Sequence, residues 1–287
     1  MAYTLLNGKD LALRMKKAMS AQVEELKNKG AIPGLAVIIV GNDPASRIYV
    51  NSKKRDCEEV GIRSFEYALP EDVQEEQLLE LIDTLNNDDN VDGILVQLPI
   101  PDHLDEGKVL RRIRPDKDVD AFHPYNVGEL MIGNHAFAPC TPAGIMELLK
   151  DAKIDVEGKN CVVVGRSNIV GKPMSMLMLH ANATVTICHS RTKNLKDVCK
   201  TADILIAAIG KPNYITRDFV KEGAVVIDVG INRTADGGMT GDVDFTEVSK
   251  IASAITPVPG GVGPMTRAML LKNTIKACIM HKRGKLS

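Results

Sequence analysis

The feature that most constrains this chain is an alternation of two kinds of segment. Short apolar, β-branched runs recur along it, separated by stretches with helical apolar spacing. In the second half the runs Asn160–Val164, Thr184–Cys188, Ile204–Ala208 and Ala224–Asp228 read as strands, with helices between most of them. In the first half, 9–29 shows a helical pattern (Leu13, Ala18, Val23, Leu26) that stops at Gly30, and Gly34–Val40 reads as a strand. Asp43 and Pro44 supply an N-cap and a first-turn proline for a helix that Gly61 closes. Strand 65–69, helix 73–85 and a buried strand over 91–98 follow. Such alternation builds parallel sheets covered by helices. Between Pro99 and Pro142 the pattern breaks: six prolines among Asp, His and Asn mark loops, a short helix near 109–113 and a domain junction. Thr141 and Pro142 then open a helix toward Lys150. The expected fold class is α/β, with two α/β domains over 1–140 and 141–265. A strongly amphipathic helix is read over Met265–His281, and the closing segment 266–287 that carries it is expected to pack back on the first domain.

Composition excludes several functions. Lys and Arg total 36 against 37 Asp and Glu, a net charge of −1, which argues against a whole-chain grip on nucleic acid or anionic lipid. Five Tyr, five Phe and no Trp leave no base-stacking platform. The six cysteines (57, 140, 161, 188, 199, 278) include no CxxC pair and read as reduced thiols in a cytoplasmic protein. No leader-like apolar segment and no apolar run long enough to span a membrane is read in the chain.

The segment Cys161 to Pro173 runs from a buried strand through a turn into a helix, where a dinucleotide-binding unit places its pyrophosphate. The usual G-x-G-x-x-G is absent. Gly165, Ser167 and Gly171 give a G-x-S-x-x-x-G spelling instead. Gly165 suits the tight turn, Ser167 a phosphate, and Gly171 close helix packing; an ordinary strand–helix turn would share the spelling. The next strand ends Cys188-His189-Ser190-Arg191-Thr192, without the carboxylate that holds the ribose hydroxyls of NAD. Ser190, Arg191 and the nearby Arg166 suit a 2′-phosphate, which favours NADP. Taken alone, Arg191 is equally a solvated surface residue. The runs from Ala207 to Pro212 and from Asp228 to Asn232 put small residues at two more strand ends, where a ligand can approach the backbone, although small residues there also serve core packing.

On the helix after Asp43, Ser46, Tyr49, Lys53, Cys57 and Val60 share one sector. Lys53 thus lies on a semi-apolar face, where its ammonium loses solvation and its pKa is expected to fall, as suits a proton-transfer group. A lysine snorkelling at a core edge fits the same pattern. Gln97 closes a buried strand and needs partners, Lys53 or a substrate carbonyl. Asp118 and Asp120 precede His123. An ionised Asp suits a ligand edge with adjacent N–H donors, and no ligand set with metal spacing is read. The stretch from Pro257 to Met265 is a stiff, uncharged loop entering the last helix.

Together these residues resemble the bifunctional methylenetetrahydrofolate dehydrogenase/cyclohydrolase family over nearly the whole chain. The resemblance rests on the Tyr49-to-Lys53 helix, Gly93 to Pro99, Lys117 to Asp120, Gly165 to Pro173, and Pro257 to Thr266. It implies a Rossmann-like NADP-binding second domain, a cleft between the domains, and a homodimer. It implies NADP-dependent oxidation of 5,10-methylenetetrahydrofolate to 5,10-methenyltetrahydrofolate, then hydrolysis to 10-formyltetrahydrofolate. By the resemblance Lys53, Gln97 and Asp120 are catalytic, and Lys53 is the key group. Tyr49, Lys53, Gln97, Asp120, Pro259, Gly260 and Gly263 contact the folate. Gly165, Arg166, Ser167, Ser190, Arg191 and Ile231 hold the cofactor. Ala121 stands where the family usually has Gly. No formate ligase module is expected after the last helix. Three rivals remain at this level: a family member keeping only the dehydrogenase step, another NADP-dependent oxidoreductase, and a nucleotide sensor without chemistry. The inward lysine and strand-end glutamine count against the sensor.

Overall fold

A computed structural model describes residues 3–234 and 237–282. The chain begins β1 (Thr4–Leu5), α1 (Gly8–Asn28), β2 (Gly34–Val40), α2 (Pro44–Val60), β3 (Arg63–Leu69), α3 (Glu75–Asn86) and β4 (Gly93–Val96). It continues through α4 (Glu106–Arg112), α5 (Pro124–Ile132), α6 (Cys140–Asp151), β5 (Asn160–Val164), α7 (Gly171–His180), β6 (Thr184–Cys188), α8 (Leu195–Cys199) and β7 (Ile204–Ala207). After a 3₁₀ turn at Arg217–Phe219 come β8 (Val225–Asp228), β9 (Asn232–Arg233), β10 (Met239–Thr240), α9 (Phe245–Val248), β11 (Ala254–Ile255) and α10 (Val262–His281). The chain divides into two units, one with residues 14–138 and 267–282, the other with 3–13 and 139–266.

The first of these units is built on a three-stranded parallel sheet, β3-β2-β4. Every residue of β2 is buried, as a central parallel strand with both faces covered requires. Ala36, Ile38 and Val40 pack with Leu78, Ile82, Ile94 and Val109 in one core. Each of the Val, Leu and Ile side chains among them contributes about 1.5–3 kcal/mol on burial. Helix α2 is bounded as its sequence dictates. The Asp43 carboxylate accepts from Ser46 N at 2.7 Å, Pro44 sits in the first turn, and Gly61 closes the helix at φ 89°. The Leu98–Pro99 peptide bond is cis.

The second unit carries six parallel strands in the order β1-β11-β8-β7-β5-β6. The order reverses between β5 and β7, which makes their carboxyl ends the place for a ligand in such a sheet. Val162, Val164, Leu205, Ala207, Val226 and Ile255 form the heart of its core.

Two features depart from the sequence reading. Residues 3–13 do not belong with the first α/β domain, because β1 pairs with β11: Thr4 N donates to Ser253 O at 2.8 Å. Two residues of strand carry too weak a periodicity to be seen. The last helix is also not amphipathic and starts earlier, at Val262. Met265, Ala268, Leu270, Leu271, Thr274, Ile275, Ala277 and Cys278 are all buried, so it is covered on most sides. Residues 267–282 contact the first unit's segments: Asn273 Nδ2 donates to Val119 O at 2.8 Å, and Arg267 pairs with the buried Asp56 at 3.0 Å. Residues 283–287 of the expected closing segment lie outside the described residues. No described helix is long and apolar enough to cross a membrane.

Candidate active site

At the carboxyl end of β5 the chain turns sharply at Gly165, whose φ is 131°. A Cβ there would lie 2.1 Å from the Ala208 carbonyl oxygen at the end of β7, so only glycine fits this approach. Gly171 is constrained in turn: a Cβ would lie 2.2 Å from Gly165 O, which confirms its role in close packing at the start of α7. The Ser167 hydroxyl accepts from Val170 N at 3.1 Å and Gly171 N at 3.3 Å. It therefore caps α7, and its own proton remains for a ligand.

The turn opens on a pocket of about 250 Å3 lined by Gly165, Arg166, His189, Ser190, Ala208, Ile209, Lys211 and Tyr214 among others. Arg166 and Ser190 are thus brought together. Arg191 is exposed and does not line this pocket; its N–H donates to His189 Nδ1 at 3.1 Å within the turn after β6. Ile231, 49% exposed, follows β8 and lies 3.9 Å from where a Gly263 side chain would begin. Pro259 follows a cis bond, and Gly260 O accepts from Lys9 N at 2.9 Å, which ties the proline-rich loop to the start of α1. The glycine cradle and the cationic pocket fit a phosphorylated dinucleotide.

Sequence reading missed the groups beneath this pocket. Asp228, at the end of β8, accepts from Gly230 N, Asp242 N and Val243 N at 2.8–2.9 Å. Burial pushes its carboxyl up to about 6, while those three N–H donors favour the charged form. The Asp242 carboxylate, wholly buried, accepts from Ile209 N, Gly210 N and Lys211 N. A carboxylate closing an apolar strand was the available signal for Asp228; Asp242 has none, since its donors come from distant sequence.

In the other unit, Lys53 Nζ donates to Gln97 Oε1 at 2.9 Å, and Gln97 Nε2 donates to Leu98 O at 2.7 Å. The second bond orients the amide so that its oxygen faces the lysine. Lys53 is half-buried, and Tyr49, one turn earlier, is 37% exposed. Cys57, one turn later, is fully buried, and burial pushes its thiol up to about 12. The wheel missed Val50 and Asp56 on the buried side; Asp56 is held there by Lys16 at 3.1 Å as well as Arg267.

Asp118 bridges in parallel to Ile94 of β4, so Gln97 and Asp120 leave that bridge in the same direction. Asp120 is half-buried. Asp118 is buried and accepts from His123 N at 2.7 Å and Asn126 Nδ2 at 2.8 Å; burial pushes its carboxyl up. Its work is to shape the turn that presents Asp120. Ala121 adopts φ 59° in this turn, so it keeps the backbone a glycine would take, at about 1–2 kcal/mol of strain. Among the described residues no group of three His, Cys, Asp or Glu side chains stands arranged to hold a metal ion.

Fold and sites together define a two-module α/β enzyme of the dinucleotide-binding oxidoreductase class. Comparison with known proteins narrows this. Residues 6–120 match the tetrahydrofolate dehydrogenase/cyclohydrolase catalytic domain, and 139–282 match the NAD(P)-binding domain of the same family. The bifunctional protein FolD of Ruminiclostridium cellulolyticum is 64% identical over 98% of this chain and 99% of its own length. The crystal structure of the FolD methylenetetrahydrofolate dehydrogenase/cyclohydrolase of Campylobacter jejuni aligns with a TM-score of 0.95 at 54% identity, covering 96% of this chain and 99% of that one. The Trypanosoma brucei enzyme, solved with NADP cofactor and inhibitor, aligns at 0.94 with 39% identity, covering 98% of each chain. The chain belongs to the tetrahydrofolate dehydrogenase/cyclohydrolase family.

Proposed function

We propose that Lys53, oriented by Gln97, is the proton-transfer group of a bifunctional 5,10-methylenetetrahydrofolate dehydrogenase and 5,10-methenyltetrahydrofolate cyclohydrolase that uses NADP. The Lys53–Gln97 bond is the observation that carries this reading. Oxidation of the methylene carbon uses the hydride-accepting chemistry that NADP supplies when bound. The residues around Gly165, with Arg166, Ser167, Ser190, Arg191 and Ile231, would hold that cofactor; alignment is what this step asks of them. The product of the step is a cation. A neutral amine would tolerate that cation, where an ammonium would repel it. Lys53 then takes the proton from the water that adds to the methenyl carbon. It returns that proton to the leaving ring nitrogen as the carbon–nitrogen bond opens, while the hydroxyl on the same carbon releases its proton to solvent and becomes the carbonyl of 10-formyltetrahydrofolate. Asp120, acceptor-only when ionised, receives the amino edge of the pterin, and Tyr49 lies against its ring. Pro259, Gly260 and Gly263 add backbone surface for the folate.

We also assign a homodimer and a cytoplasmic location. The six cysteines are free and buried, which suits a reducing compartment. Strand β6 is an edge strand with Ile187 exposed, and Leu179 on α7 is exposed as well, an apolar edge that a second copy would cover. A monomer mass by light scattering at micromolar concentration would remove the dimer.

One absorbance assay tests the reading. With methylenetetrahydrofolate and NADP, methenyl absorbance should rise, then decay to the formyl product faster than the uncatalysed rate. No rise sinks the dehydrogenase, and uncatalysed decay sinks the second activity. In the same assay Arg191→Ala should raise KM for NADP more than for NAD; equal rises would remove Arg191 from the 2′-phosphate site.

A further inference from the structure

Two carboxylates below the cofactor pocket and two side chains on its wall are unaccounted for by the reading above. Lys211 and Tyr214 line the same pocket as Arg166 and Ser190. The Lys211 ammonium lies 5.3 Å from the Tyr214 ring centroid, and Tyr214 in turn packs on Phe219 at 5.5 Å. The aromatic face thus holds the ammonium without neutralising it, as a carboxylate would. Among the described residues no carboxylate forms an ion pair with Lys211.

The backbone under Lys211 is unusually well held. All three N–H groups of Ile209, Gly210 and Lys211 converge on one buried carboxylate, Asp242, at 2.7, 3.0 and 2.8 Å. Asn232 Nδ2, beside Ile231, donates to the same carboxylate at 3.0 Å. Asp242 is itself fixed by Asp228, which accepts its N–H at 2.8 Å. A buried carboxylate costs several kcal/mol unless its oxygens are satisfied, and here four donors satisfy it. Those donors belong to the two loops that leave β7 and β8 at their carboxyl ends, the ligand-facing side of the sheet.

We propose that Lys211 is a further ligand and selector for the 2′-phosphate of NADP, and that Asp242 is the positioning residue that sets the loop carrying it. Arg166 and Ser190 line this pocket from the ends of β5 and β6, and Lys211 supplies a further cation from the end of the neighbouring strand β7. The inference rests on the pocket being the cofactor's adenosine phosphate site.

The test compares KM for NADP and for NAD in the full-length enzyme. Lys211→Ala should raise KM for NADP about tenfold, the size of a lost charged hydrogen bond, with KM for NAD within twofold and kcat little changed. Lys211→Arg should restore most of the preference. Asp242→Asn turns one acceptor into a donor facing backbone N–H groups. It should lower the NADP-over-NAD preference as Lys211→Ala does, and adding it to Lys211→Ala should lower that preference no further. A merely structural role would instead depress melting temperature and kcat with the preference intact. That result for Asp242→Asn overturns its positioning role. If Asp242→Asn does not fold, the lysine variants still decide: an unchanged preference in Lys211→Ala overturns the proposal. Arg166→Ala separates the two levels. If it raises KM for NADP while Lys211→Ala does not, only the lysine assignment fails. If neither does, the pocket itself is wrongly assigned, and the proposal falls with it.

Discussion

Lys53→Ala is expected to lose cyclohydrolase activity by at least ~100-fold, the usual contribution of a positioned proton-transfer group, while NADP binding is retained. The variant removes the nitrogen that donates to Gln97 Oε1 at 2.9 Å and leaves the amide still anchored to Leu98 O at 2.7 Å. It therefore takes away the proton-transfer group without releasing its support. The helix is expected to survive, because its buried anchors are Val50, Asp56, Cys57 and Val60, and its caps at Asp43 and Gly61 are untouched. Methenyl hydrolysis by the purified variant, followed by loss of absorbance, is the measurement. Hydrolysis persisting near the parent rate in a folded variant would take the proton-transfer role away from Lys53. Gln97→Ala should give a smaller loss, since it disorients the lysine without removing it.

Gly165→Ala should damage the other unit at its centre. The new methyl would stand 2.1 Å from Ala208 O and 2.9 Å from Ala208 C, on a backbone at φ 131° that L-residues rarely adopt. Neither neighbour can yield: Gly165 N donates to Cys188 O at 2.9 Å, and Ala208 N donates to Val164 O at 2.8 Å. The turn must open by about an ångström, at a cost of about 1–3 kcal/mol for the strained backbone and a similar amount for overpacking. The expected result is a melting temperature lower by several degrees and a large rise in KM for NADP. Thermal melts with and without NADP check both. An alanine variant that melts normally and binds NADP normally would show that β5 and β7 do not close on this turn.

Much of the site was legible because it depends on local signals. Asp43-Pro44 and Gly61 bound α2 chemically, so the wheel that joins Lys53 to Cys57 and Val60 could be drawn before any coordinates. Gly165 and Gly171 announce a turn with no room for side chains, and the structure supplies the atoms that deny it. The missed elements share a different character. Strand β1 is two residues long and exists only because β11 accepts it. Helix α10 was read as one-sided because sequence shows period but not how many neighbours a helix will have.

By itself the sequence determined the α/β class, the family and the glycine turn, because each follows from short-range chemistry or from a spelling specific enough to stand alone; it left Gln97 to partner either Lys53 or a substrate carbonyl. The tertiary structure alone decided where residues 3–13 belong, that Asp228 and Asp242 lie buried beneath the loops at the ends of β7 and β8, and that Lys211 joins Arg166 on the wall of one pocket. The reason is physical. A buried carboxylate is stable only where backbone donors from several distant segments converge on it, and no local pattern of residues records that convergence.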